Sequence, residues 1–142
     1  MTDRRGLTVI EVLVTVALFW AVMLLAAPAL GSFLSRLEFH SAVRGVVGGL
    51  SAARSHAICG CEPVRAEVSG GRILLSRDRG DGWRVFRGFD LGKRVAVSAN
   101  GRPIFSPLGN AAPLCTVTLR DGRHACRVVV SLYGRIRVYG GS

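Results

Sequence analysis

Gly6-Leu7-Thr8-Val9-Ile10-Glu11-Val12-Leu13-Val14 is the stretch on which the fold turns. From Val12 through Ser35 the chain carries no charged residue over 24 positions, and a membrane-spanning helix needs roughly 20. Arg4 and Arg5 precede the run and Arg36 follows it. A basic leader favours an N-terminus on the cytoplasmic side. The run is longer than the apolar region of a secretory signal peptide, and no Ala-x-Ala site closes it. Glu11 stands at its start, where a carboxylate at the edge of a hydrocarbon segment is costly and usually functional. Pro28, inside the run, is expected to kink or locally melt the helix.

Beyond Arg36 the helix is predicted to continue to about Ile58. Phe39, Val43, Val46, Leu50, Ala53 and Ala57 recur at spacings of three and four and form one apolar stripe. Gly45 and Gly49 form a small-xxx-small pair. That pair serves either helix contact in a membrane or close approach of the helix to its own sheet, and the second is preferred. Cys59-Gly60-Cys61-Glu62-Pro63 ends the helix. Short β runs follow at Val64–Val68, Arg72–Ser76, Trp83–Phe86, Val95–Ser98, Pro103–Phe105, Leu114–Leu119, Cys126–Ser131 and Arg135–Tyr139, with turn signals at Ser69-Gly70-Gly71, Asp81-Gly82 and Asp121-Gly122. The expected fold is α+β, one long N-terminal helix with its second half packed on antiparallel sheets. With 142 residues there is room for one globular head, and a head near 80 residues profits from staples.

The opening nonapeptide resembles the class III prepilin signal, a glycine followed by Phe-Thr-Leu-Ile-Glu. Leu7 replaces the usual phenylalanine. The resemblance implies cleavage between Gly6 and Leu7 by a prepilin peptidase, N-methylation of Leu7, and a role for Glu11 in assembly. There Glu11 would neutralise the amine of a neighbouring subunit in a filament core and set axial register. Later segments extend the likeness in order. Ala52-Ala53-Arg54-Ser55-His56-Ala57-Ile58, Asp81-Gly82-Trp83-Arg84-Val85-Phe86, Ile104-Phe105-Ser106-Pro107-Leu108-Gly109 and the stretch Val128 to Val138 are similar to motifs of the GspH/FimT family of minor pilins and pseudopilins. The implied organisation is a leader at 1–6, a transmembrane and filament-core helix at 7–35, an amphipathic helix at 36–58 and a periplasmic β-rich head at 59–142. The implied place is the bacterial inner membrane, crossed once, and the tip of a pilus or pseudopilus. The implied partners are other minor pilins or pseudopilins.

Nineteen basic residues against nine acidic leave a formal charge of +10, and only Lys93 among the nineteen is a lysine. Such a balance points to a polyanionic partner, and guanidinium forks suit phosphate. From Arg102 to Ser142 there are six arginines and one acid, Asp121. Arg135 and Arg137 alternate on a short strand, Gly134 permits a tight turn before them, and Tyr133 and Tyr139 flank the pair. The contrasting view is a solvated edge strand whose charges discourage aggregation. In the FimT branch of the family a C-terminal Gly-Arg-x-Arg motif is associated with DNA binding in natural transformation, and Gly134, Arg135 and Arg137 match it. The expected function is therefore non-specific capture of double-stranded DNA, with help from Arg120, Arg123 or Arg127. The alternative is a structural minor pseudopilin of a type II secretion system with no DNA role.

Catalysis is poorly supported, because no serine has a plausible His and Asp, and His40, His56 and His124 follow no ligand spacing. Cys59, Cys61, Cys115, Cys126 and His124 could be drawn as a metal site, but the near pair has one intervening residue where zinc sites use two. No cofactor is expected. An even cysteine count in a small exported domain reads instead as disulfides. Cys115 and Cys126 flank the Asp121-Gly122 turn, so a Cys115–Cys126 bond is expected.

Overall fold

The computed structural model describes residues 8–92 and 94–141, and the side chains of these apart from 25–29 and 141. Gly6 and Leu7 lie outside the described residues. One helix, α1, runs from Val9 to Gly60. It is continuous through Pro28, so the expected local melting does not occur. The expected span of 7–35 takes in Leu7 and the side chains of 25–29, which lie outside the described residues. Among the described residues no helix is long and apolar enough to cross a membrane.

The chain divides into two compact units, Met1–Arg36 and Leu37–Ser142. The first holds α1 from Val9 to Arg36, and its apolar side chains from Val9 to Leu24 are exposed. The second holds the rest of α1 and, among the described residues, nine strands: β1 Val64–Ser69, β2 Arg72–Asp78, β3 Trp83–Asp90, β4 Ala96–Ala99, β5 Ile104–Phe105, β6 Ala111–Ala112, β7 Cys115–Asp121, β8 His124–Val130 and β9 Ile136–Gly141. They form two antiparallel sheets, one in the order β3-β2-β1-β5-β6 and one in the order β4-β7-β8-β9. β6 was not among the expected strands. Its two alanines carry no periodic signal, and it exists because β5 pairs with it. A bulge between Leu75 and Ser76 leaves Phe86 as the extra residue of β3.

Alternation along the strands builds the core. Val64, Ala66, Ile73, Leu75 and Phe105 of the first sheet are buried with Val117, Leu119, Val128 and Val130 of the second and with one face of α1. That face is Phe39, Ala42, Val46, Leu50, Ala53 and Ala57. Ala42 takes the place expected for Val43, which is only half-buried at the margin of the stripe. Each fully buried valine, leucine, isoleucine or phenylalanine side chain contributes about 1.5–3 kcal/mol. Gly45 and Gly49 turn toward the first sheet. A Cβ on Gly49 would lie 3.0 Å from Ile73 Cδ1, and one on Gly45 3.0 Å from Leu91 Cδ2. The small pair thus lets this half of the helix approach its own strands.

Two turns follow their glycines. Gly70 and Gly71 both have positive φ between the paired Ser69 and Arg72, the geometry of a two-residue I′ hairpin. Gly122 has φ +43 in the loop between Asp121 and His124. At the end of α1, Cys61 rather than Gly60 takes the left-handed conformation, with φ +49.

Candidate nucleic-acid interface

The sheet β4-β7-β8-β9 has one face on the core and one toward solvent. Core-facing Cys115, Val117, Leu119, Cys126, Val128 and Val130 alternate with outward Thr116, Thr118, Arg120, Ala125, Arg127 and Val129. On β9 the same alternation sends Arg137 and Tyr139 outward with Arg127 and Val129, because Arg137 stands opposite Val129 and Tyr139 opposite Arg127.

Register then arranges the cations. Thr118, Arg127 and Tyr139 lie in one row across β7, β8 and β9. Arg120 is two residues from that row in one direction, and Arg137 two residues from it in the other. Arg135 continues past Arg137. The four arginines therefore form a diagonal stripe in which successive Cα atoms are about 7–8 Å apart. Arg123 lies in the β7–β8 hairpin loop at the stripe's upper end rather than on the face itself. Two shallow clefts border the stripe, one of about 290 Å³ floored by Thr118, Arg120, Arg127 and Tyr139, the other of about 240 Å³ between Tyr133, Arg135, Arg137 and Tyr139. Tyr133 is 77% exposed and Tyr139 49%, so both rings are open to a ligand. The threonine hydroxyls on this face were not anticipated. Strand alternation alone would have found them, and hydroxyls commonly bind phosphate oxygens.

The charge on this face is unbalanced. The ion pairs Arg72–Asp90, Arg77–Glu62, Arg84–Asp81, Arg94–Glu38 and Arg102–Glu67 draw their acids from α1, from the strands β1 to β3 and from the turns beside them. Among the described residues, Arg120, Arg123, Arg127, Arg135 and Arg137 enter no ion pair. Two guanidinium charges 8 Å apart in water repel by about 0.5 kcal/mol, so an exposed stripe of this kind is cheap to keep. It is also ready for a polyanion that relieves the repulsion.

Gly134 differs from the arginines that follow it. It is buried, with φ +68, and a Cβ there would overlap the Gly109 carbonyl oxygen. The close approach it permits is to the chain's own backbone, so it shapes the turn and does not face a ligand. Glu11 lies in the first turn of α1, with its side chain exposed.

The expected Cys115–Cys126 disulfide is absent, and all four cysteines are free. The Gly122-Arg123 loop sets the register that places Cys126 opposite Leu119 and Cys115 opposite Val130. The two sulfurs share the core face but stand four residues apart along it, about 13 Å, whereas a disulfide needs Cα atoms within about 7 Å. Burial pushes both thiols above their usual pKa, partly offset by backbone hydrogen bonds at Gly101 for Cys115 and Arg127 for Cys126. Cys59 and Cys61 are exposed at the end of α1. Among the described residues no three His, Cys, Asp or Glu side chains gather as a metal site.

No family model matches the sequence, and no curated protein does. Solved structures do match in fold. The type IV minor pilin FimU of Pseudomonas aeruginosa superposes in two crystal forms. One has a TM-score of 0.63 at 16% identity, covering 75% of this chain and 92% of FimU. The other scores 0.59 at 16% identity and covers 70% and 91%. The minor pseudopilin EpsH of the Vibrio cholerae type 2 secretion system superposes with a TM-score of 0.55 at 15% identity, covering 70% of this chain and 96% of EpsH. This chain has the minor pilin and pseudopilin fold, a long helix packed on antiparallel sheets.

Proposed function

We propose that this chain is a minor subunit of a type IV filament whose head binds double-stranded DNA without sequence preference. The diagonal stripe Arg120-Arg127-Arg137-Arg135 carries the proposal. Four exposed guanidinium groups, none in an ion pair among the described residues, lie on one face of the sheet, and every acid in the ion pairs described above comes from elsewhere in the head. Phosphate contacts of this kind hold DNA with dissociation constants of about 10⁻⁴–10⁻⁶ M at physiological salt. That suits a capture device whose avidity comes from several subunits. In the same proposal residues 1–6 are removed by a prepilin peptidase and the new terminus at Leu7 is methylated. Residues 7–35 hold the subunit in the inner membrane and later in the filament core, and Glu11 pairs with a neighbouring terminus. The head faces the periplasm and meets other minor subunits at the filament tip.

The likeness to EpsH supports a second possibility, a structural pseudopilin of a secretion system. Mobility shift or NMR titration of the head with duplex DNA over a salt series separates the two. Under the DNA proposal affinity falls steeply with salt, and Arg135→Gln with Arg137→Gln weakens binding to all sequences alike and flattens the logarithmic salt slope by about 2, one for each lost phosphate contact. An unchanged double variant removes this face as the site. A wild-type head that ignores DNA at low salt leaves the pseudopilin.

A further inference from the structure

Three segments far apart in the sequence meet behind the stripe. Arg54 comes from α1, Gly109 from the loop before β6, and Gly134 from the turn that delivers Arg135. The Nε–H of Arg54 donates to the Gly109 carbonyl at 3.1 Å, and the bond is partly buried. The same nitrogen lies 3.1 Å from where a Cβ of Gly134 would be, and the Gly109 carbonyl fills the rest of that space. Gly109 is confined in turn, since a Cβ there would meet Ile58 Cδ1 at 3.1 Å and the Arg54 guanidinium at 3.2 Å. Arg54 has no acidic partner among the described residues. Its charge is spent on a carbonyl.

Both loops at this junction are tightly bonded. The Gly109 amide donates to Ser106 O at 2.8 Å, and the Ala111 amide to Leu132 O at 2.9 Å. The Gly134 amide donates to Ser131 O at 2.9 Å, the Ser131 amide to Arg135 O at 2.9 Å, and the Arg135 amide to Ser131 Oγ at 3.1 Å. The backbone that aims Arg135 and starts β9 thus rests on the Gly109 carbonyl, and Arg54, which lies beside both, holds that carbonyl in place.

We infer that Arg54 is a positioning residue for the DNA-binding face, clamping the Gly109 carbonyl so that the Gly134 turn presents Arg135 and Arg137 already ordered. The inference rests on the function proposed above. A clamp of this kind contributes by removing an ordering cost from binding. It makes no phosphate contact, and that separates it from the arginines of the stripe.

The test uses the full chain in detergent, with Arg54→Ala and Arg54→Lys, the latter keeping charge and aliphatic stem but losing the Nε donor and the planar fork. Duplex affinity over a salt series and amide hydrogen exchange are read together. Expected for both variants is a loss of roughly 3- to 10-fold in affinity, the range of one net hydrogen bond. The salt slope stays unchanged, and exchange quickens at Gly134 and Arg135 but not at Val117 or Val128. A slope lowered by about 1 makes Arg54 a direct phosphate ligand and overturns the inference. Faster exchange at Gly134 with wild-type affinity overturns it too, because the clamp then orders the turn without serving the ligand. Should Arg54→Ala fail to fold, Arg54→Lys carries the same measurements. If the wild-type chain binds no DNA, the functional proposal itself has failed. That result differs from a failed clamp, in which wild type binds and the variants match it.

Discussion

Gly48, Gly49 and Gly45 offer a graded test of how α1 lies against its own sheet. A glycine in a helix interior costs up to about 1 kcal/mol relative to alanine, so each Gly→Ala change begins with that gain. At Gly48 nothing lies within 4 Å of the added carbon, and the head should be stabilised by most of it. At Gly49 the new methyl meets Ile73 Cδ1 at 3.0 Å, Cγ2 at 3.3 Å and Cβ at 3.4 Å, and Ile73 is fully buried. Three atoms of one branched, enclosed side chain cannot all withdraw. Overpacking of this kind costs about 1–3 kcal/mol, so Gly49→Ala should come out neutral to about 2 kcal/mol destabilised. Gly45→Ala meets Leu91 Cδ2 at 3.0 Å, the far end of a flexible chain, with Asp90 O in ordinary contact at 3.9 Å, and should fall between the two. Ile73→Val removes Cδ1 and costs about 0.5–1.5 kcal/mol by itself. In the Gly49→Ala background it should cost less or nothing, giving a favourable coupling in a double-mutant cycle. Urea denaturation of residues 37–142, which include every buried core side chain, measures all five variants at constant m-value. If Gly48→Ala and Gly49→Ala shift the midpoint equally, or if the coupling is zero, Ile73 does not lie against Gly49. The glycine pair would then be free for contact with another helix.

N-terminal sequencing of membrane-extracted protein should begin at Leu7, and Gly6→Ala should block that processing while leaving the head folded; a start after Ala27 or Ala29 removes the pilin reading of the N-terminus. In the native head Cys59 and Cys61 should alkylate quickly and Cys115 and Cys126 only after unfolding, as counted by mass spectrometry, and a Cys115–Cys126 peptide from a non-reducing digest would overturn the β7–β8 register. Because burial raises both inner thiols above their usual 9.0 in the folded state, the stability they contribute is present below about pH 9 and is lost as pH climbs through the folded values, so the urea midpoint should fall in that alkaline range in wild type and less in a variant with both replaced by valine.

Local chemistry made much of this molecule legible in one dimension. The apolar run after Glu11, the three-and-four spacing from Phe39 to Ala57 and the glycine turns at Gly70-Gly71 and Gly122 all act through neighbours in sequence, and the elements they predict are present. The arginine excess of the last forty residues was equally plain, since charge is a property of composition. What composition could not say is where that charge goes. The stripe exists because a two-residue loop at Gly122-Arg123 sets the β7–β8 register and the β8–β9 pairing carries it on, so that arginines from three strands fall on one diagonal. The same register moved Cys115 four residues away from Cys126 and undid a disulfide that spacing alone had made attractive. β6 and the meeting of Arg54, Gly109 and Gly134 depend on pairing and close approach between segments distant in the chain, which leave no periodic trace. The sequence by itself determined the helix, every strand but β6 and the sign of the charge, because these follow from residue type and near-neighbour geometry. Only the tertiary structure decided which side chains share a face, because that depends on registers set by turns and by the packing of both sheets on one helix.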